Sequence, residues 1–186
     1  METLFQNKYR IKSNRRPFWD YSRFGWYFIT VCTQHKEHYF GEIVDGEIQL
    51  NEMGKIVNDE LLKTTQIRKN VQLDEFIVMP NHVHVIIIIT HKYNADPNVE
   101  TRCSVSLPKG GEFSKPISGS LSMTINYFKG SVKRIANQNN ISFQWQSNYY
   151  DHIIRNDDDL KRIQQYIDEN PQNWDRDRNN PEGLMM

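Results

Sequence analysis

The sequence predicts an α+β fold, an antiparallel sheet with helices packed on one face. Three observations predict it. Runs rich in β-branched and aromatic residues occupy 26–33, 73–79 and 82–90, helical apolar periodicity marks stretches opening near 51, 120 and 156, and the two kinds alternate. The order reads strand, helix, strand, strand, helix and a further helix, which is the grammar of a ferredoxin-like sandwich.

Each element has its own signature. WYFITVCT, Trp26 to Thr33, has no polar alternation and fits a core strand buried on both faces. The two short runs around Asp45-Gly46 form a hairpin, because that dipeptide supplies the positive φ of a two-residue turn. Asn51 caps a helix running to about Arg68, with Met53, Ile56, Val57, Leu61 and Leu62 at helical spacing. Leu73 to Met79 and His82 to Thr90 are strands separated by Pro80-Asn81, expected as an antiparallel pair in the sheet centre. Residues 91–118 lose all periodicity and form a long polar loop. Ser120 opens a helix to about Ala136 whose stripe is Leu121, Ile125, Phe128, Val132 and Ile135, with Lys129, Lys133 and Arg134 off it. A loop carrying Phe143, Trp145, Tyr149 and Tyr150 follows. Asn156 and Asp157 to Asp159 then give a capped, dipole-matched helix start, and Pro171 stops that helix after Asn170.

At 186 residues the chain suits one domain with ragged ends: an arm over 1–23, a body over 24–175 and a tail over 176–186. Basic and acidic side chains balance at 23 each, so nucleic-acid binding has to use local patches. The arm is one such patch, with Lys8, Arg10, Lys12, Arg15, Arg16 and Arg23 against Glu2 and Asp20. Cys32 and Cys103 stand in no metal or redox spacing, and no apolar stretch of secretory form opens the chain. The longest apolar run, Val83 to Ile89, is far short of the ~20 residues that cross a bilayer. A cytoplasmic protein without a membrane partner is the expectation. No long apolar helix face is left unassigned, which leans to a monomer.

Two places offer chemistry. His82 and His84 stand two apart on a strand, so their imidazoles project from one face as two ligands of one metal must. Burying them in an isoleucine-rich strand unpaired costs on the order of 1–3 kcal/mol each, and a metal removes that penalty for both. On the last helix Tyr166 lies beside the Leu160, Ile163 and Ile167 stripe, sharing an edge with Arg162 and Asn170.

MPNHVHVIIII, following WYFITVCT and preceding YYDHIIRNDDDLKRIQQYIDENPQNW, resembles the REP-associated tyrosine transposases, relatives of the single-tyrosine HUH transposases. The resemblance runs from Trp26 to Trp174 and rests on three ordered motifs. It implies that His82 and His84 are the histidine pair of the HUH motif and that Tyr166 attacks DNA, with Tyr150 as second choice. Asn170 falls where the family places an amide as third metal contact. Pro171 directly after it frees the backbone from helical geometry, so His152 stays a competing ligand. The resemblance further implies a divalent ion, Mg or Mn with Zn able to compete, and cleavage of single-stranded or hairpin DNA through a 5′-phosphotyrosine in a nucleoid-associated enzyme. Lys129, Lys133, Arg134, Arg155 and Arg162 are candidate backbone contacts. Two other readings stay open: a non-catalytic ferredoxin-like nucleic-acid-binding module, and a zinc-dependent hydrolase in which Tyr166 is incidental.

Overall fold

The computed structural model describes residues 15, 16, 19–90 and 119–181. The greater part of the basic arm, including Lys8, Arg10 and Lys12, and the loop at 91–118 with Cys103 lie outside the described residues.

Strands β1 (Gly25–Cys32), β4 (Val71–Met79), β5 (His82–Ile89) and β6 (Tyr150–Ile154) form one sheet in the order β4-β5-β1-β6. Every neighbouring pair is antiparallel. With α1 (Glu52–Ile67) and α2 (Leu121–Gln138) as crossovers this is the expected ferredoxin-like arrangement, extended by α3 (Asp157–Asp168). A separate hairpin of β2 (Gly41–Val44) and β3 (Glu47–Leu50) turns at Asp45 and Gly46, whose φ values of 52° and 77° are those the dipeptide was expected to supply. Helix starts follow their caps: Asn51, Ser120 and Asn156 accept from the amides of Gly54, Met123 and Asp159.

The sheet has two buried faces. Tyr27, Ile29 and Val31 of β1 and Val83, Val85, Ile87 and Ile89 of β5 meet Met53, Val57 and Leu61 of α1 and Leu121, Ile125, Phe128 and Val132 of α2 in the main core. The alternate residues Phe28 and Ile86 point the other way and pack with Ile154 against Ile163 and Ile167 of α3. Two helices therefore share one face and α3 covers the other. Leu62, placed on the apolar stripe of α1, is exposed, because the sheet takes up only a narrow arc of the helix. Strand β6, read from the sequence as loop, pairs with β1 from Trp26↔Ile154 to Thr30↔Tyr150. Its sequence YDHII lacks the long β-branched run of the central strands, since an edge strand needs one neighbour and one covered face.

Candidate metal centre and active site

His82 and His84 reach the α3 face by the two-residue period of β5, whose other register feeds the main core. Both are fully buried, and their ring centroids are 4.3 Å apart. Their Nε2 atoms face each other at 2.9 Å. The outer nitrogens are held from behind. Asn81 donates through Nδ2 to the carbonyls of Lys36 (2.9 Å) and Asn179 (2.8 Å), which fixes its amide so that Oδ1 meets His82 Nδ1 at 2.8 Å. His82 accordingly carries its proton on Nδ1 and turns a bare Nε2 inward. His84 Nδ1 meets the buried Thr30 hydroxyl at 2.9 Å, a group that donates or accepts and so serves either tautomer of His84.

Burial lowers both imidazoles, His82 to about 4 and His84 well below its ordinary range. Both are neutral at neutral pH, the form in which imidazole binds metal. Trp174 stacks on His82 with centroids 6.0 Å apart, and Phe28 lies 5.2 Å from the His84 ring.

Tyr166 comes from α3 and stands edge-on to Phe28. Its hydroxyl is 3.3 Å from His84 Nε2 and donates to Asp177 Oδ2 at 3.1 Å. The residue is 38% exposed, so a large substrate can reach it. Burial, reinforced by the charge and hydrogen bond of Asp177, pushes the phenol up to about 12.

Asp177 was not singled out in the sequence. After a 3-10 turn at Trp174–Arg176 the chain buries it, so the tail expected over 176–186 contributes to the site at its start. Its Oδ1 accepts from the Asn179 amide at 2.6 Å and its Oδ2 from Asn170 Nδ2 at 2.9 Å. Burial opposes its charge, yet those hydrogen bonds and the nearby His82 hold the carboxyl below its usual range. His82, His84 and Asp177 each offer a ligand atom, and all three atoms lie within 4.8 Å of one another. Two neutral imidazoles and one ionised carboxylate are a donor set for a divalent ion. Asn170 Oδ1, buried and without a hydrogen-bond partner, is the kind of atom a cation satisfies. The residues present fit a metal.

The expected residues divide into two groups. Tyr166, His82 and His84 come together, and Asn170 stands behind Asp177 on the turn that follows α3. Asp177, rather than His152, joins the two histidines in one group of carboxylate and imidazole ligand atoms, with the Asn170 amide bonded to its carboxylate. His152 pairs instead with Asp159 at 2.7 Å, and Arg162 pairs with the same carboxylate at 2.5 Å. A cleft of about 420 Å³ opens onto the centre, lined by Phe28, Tyr150, His152, Arg162 and Tyr166 together with Arg176, Asp177 and Arg178. Lys129, Lys133 and Arg134 are absent from that lining, because α2 covers the opposite sheet face. Lys129 donates to the carbonyls of Gln146 and Ser147, and Lys133 to that of Phe143, tying α2 to the following loop. Arg155 is exposed between β6 and α3 and does not line the cleft. Thr30, Asn81, Asp177 and Arg178 are the site residues that sequence reasoning passed over. The only signal available for Asp177 was an acidic residue shortly beyond the Tyr166 helix.

No family model matches the sequence. The fold is that of a solved REP-associated tyrosine transposase bound to a REP hairpin, at TM-score 0.55 and 18% identity over 88% of this chain and 74% of that one. In sequence the chain is 34% identical over 169 residues to an uncharacterized protein of Haemophilus influenzae, covering 90% of this chain and 91% of its relative, and it belongs to the family of that protein.

Proposed function

We propose that this protein cuts and rejoins single-stranded or hairpin-bearing DNA as a transposase of the HUH single-tyrosine type, with Tyr166 as nucleophile. The observation that carries the reading is the approach of an accessible phenol to within 3.3 Å of an imidazole in a buried His-His-Asp cluster. The solved neighbour, a tyrosine transposase bound to a REP hairpin, lends the reaction class by analogy of fold.

His82, His84 and Asp177 would hold a divalent ion, with Asn170 beside them. Two imidazoles with one carboxylate favour Mn over Mg and allow Zn. Bound there, the ion supplies positive charge for the phosphate oxygens in the transition state. Asn81 and Thr30 keep the imidazoles aimed. Tyr166 forms an O–P bond to the scissile phosphate while the P–O3′ bond breaks, and the released 3′ oxygen takes up a proton. The phenol proton points at Asp177 Oδ2, its acceptor in the metal-free site. The 5′-phosphotyrosine keeps the phosphodiester energy, so rejoining needs no nucleotide cofactor.

Incubation with hairpin-bearing single-stranded DNA and Mn should give a covalent protein-DNA species on a denaturing gel. Tyr166→Phe should abolish that species while leaving Mn binding intact. An adduct that persists in the phenylalanine variant rejects Tyr166. The His-His-Asp set also suits a second reading, in which it would hold a zinc ion that supplies hydrolytic chemistry and Tyr166 is incidental. Strand cleavage that continues in Tyr166→Phe without any adduct would select it.

A further inference from the structure

The cleft beside the His-His-Asp cluster contains a pair of side chains that the strand-cutting chemistry above does not use. Tyr150 sits on edge strand β6 opposite Thr30, so it shares the face of the buried histidines, and it is 42% exposed. The Arg178 guanidinium lies over its ring, 5.1 Å from the centroid. Arg178 is not an ordinary surface arginine. Its neighbours Asp177 and Asn179 are both buried, and its own carbonyl accepts from Lys36 Nζ at 2.5 Å. The Asn179 carbonyl is held in turn by Asn81. A backbone pinned on both sides aims the side chain outward at the mouth of the site.

We infer that Tyr150 and Arg178 seat one unpaired nucleotide of a DNA strand, its base stacking on the Tyr150 ring and its phosphate pairing with Arg178. The inference rests on the single-strand reading of the cleft and adds the residues that grip the strand next to the reacting phosphate. A guanidinium and an aromatic face are each good partners for a nucleobase, and stacking tolerates any base. At 5.1 Å there is no room for a base between ring and guanidinium. The base therefore takes the place of Arg178 on the ring, and the freed guanidinium turns to the phosphate, for which its fork of donors is suited. Other charges in the cleft agree. Arg176 lines the same wall, Arg162 is already neutralised by Asp159, and Asp177 points inward to the histidine cluster.

The test measures anisotropy of labelled oligothymidylate and of a fully abasic strand of equal length, in EDTA so that no cleavage occurs. The wild-type chain should favour the strand with bases on the order of 10-fold, the size expected of a single stacked base. Tyr150→Leu should erase that preference and Tyr150→Phe should keep it. Arg178→Gln should reduce the slope of log affinity against log salt by about 0.7, one phosphate contact on a single strand. A Tyr150→Leu protein that still discriminates, or an Arg178→Gln protein with an unchanged slope, overturns the seat while the strand-cutting reading stands. A wild-type chain that binds neither strand overturns the seat, and the adduct assay with hairpin-bearing DNA and Mn decides the strand-cutting reading separately. A Mn-induced thermal shift equal to that of wild type certifies that each variant is folded around its centre.

Discussion

Replacing Asp177 by Asn removes one negative charge and leaves the shape of the side chain. In the wild-type site both carboxylate oxygens accept hydrogen bonds, Oδ1 from the Asn179 amide and Oδ2 from Tyr166 and Asn170. The variant's NH₂ must face one of those donor sets, a mismatch of about 1–3 kcal/mol in the metal-free protein. The larger effect appears on adding metal. Losses outside the direct ligand set already weaken metal sites 10–100-fold, so losing a direct carboxylate should weaken Mn binding by about 100-fold. At free Mn of about 100 times the wild-type Kd, binding stabilises the folded chain by roughly 2.7 kcal/mol, or about 5–11 °C in Tm for a protein of this size. With Kd raised about 100-fold the same Mn concentration contributes roughly 0.4 kcal/mol, about 1 °C. Differential scanning fluorimetry with and without Mn reads both numbers, and the shift on metal addition cancels the metal-free penalty. His152→Ala should keep the wild-type shift. An Asp177→Asn protein with an undiminished shift, or a His152→Ala protein that loses it, refutes the assignment of the third ligand.

Other expectations follow from the same geometry. His82 is held near 4 by burial against an unfolded value of 6.5, so its folded pKa is depressed and its contribution to stability is complete above pH 6.5. Acidification from 6.5 to 4 should lower stability steadily, and urea melts of the metal-free protein that give the same stability at pH 7 and pH 4 would contradict it. Thr30→Val deletes the hydroxyl 2.9 Å from His84 Nδ1 and should cost about 10-fold in Mn affinity by calorimetry, with a changed tautomer signal in ¹⁵N spectra of the histidines. Tyr166 should titrate near 12 in an ultraviolet difference spectrum against Tyr166→Phe, and Asp177→Asn should move that titration down, because the charge and hydrogen bond of Asp177 add to the elevation that burial causes. Gly54→Ala would put a Cβ 2.0 Å from the Phe40 carbonyl oxygen, so the start of α1 must shift, at a cost of about 1–3 kcal/mol in a denaturant melt.

Sequence alone determined what depends on neighbours along the chain. The period of HVHVIIII placed both imidazoles on one face, Asp45-Gly46 set its hairpin, and Asn51, Ser120 and Asn156 capped their helices, because each signal is a local conformational preference. Tyr166 was legible as a candidate because α3 is strongly patterned and the motif around it resembles a known family. Tertiary structure decided the rest. Which sheet face α3 covers follows from the packing of Ile163 and Ile167 on Phe28 and Ile86, and nothing in the amphipathic pattern of a helix names its partner. β6 became a strand because β1 had an unpaired edge, and a ladder hydrogen bond satisfies a polar residue such as Asp151 as well as it does a valine. Asp177 entered the histidine cluster only when the chain returned over α3, 93 residues beyond His84 in numbering but with its carboxylate inside the same 4.8 Å group. Such a return is held by the long-range bond of Asn81 to the Asn179 carbonyl and by the local bonds of Asp177 to Asn170 and Asn179, and polar side chains of that kind carry no periodic signal along the sequence.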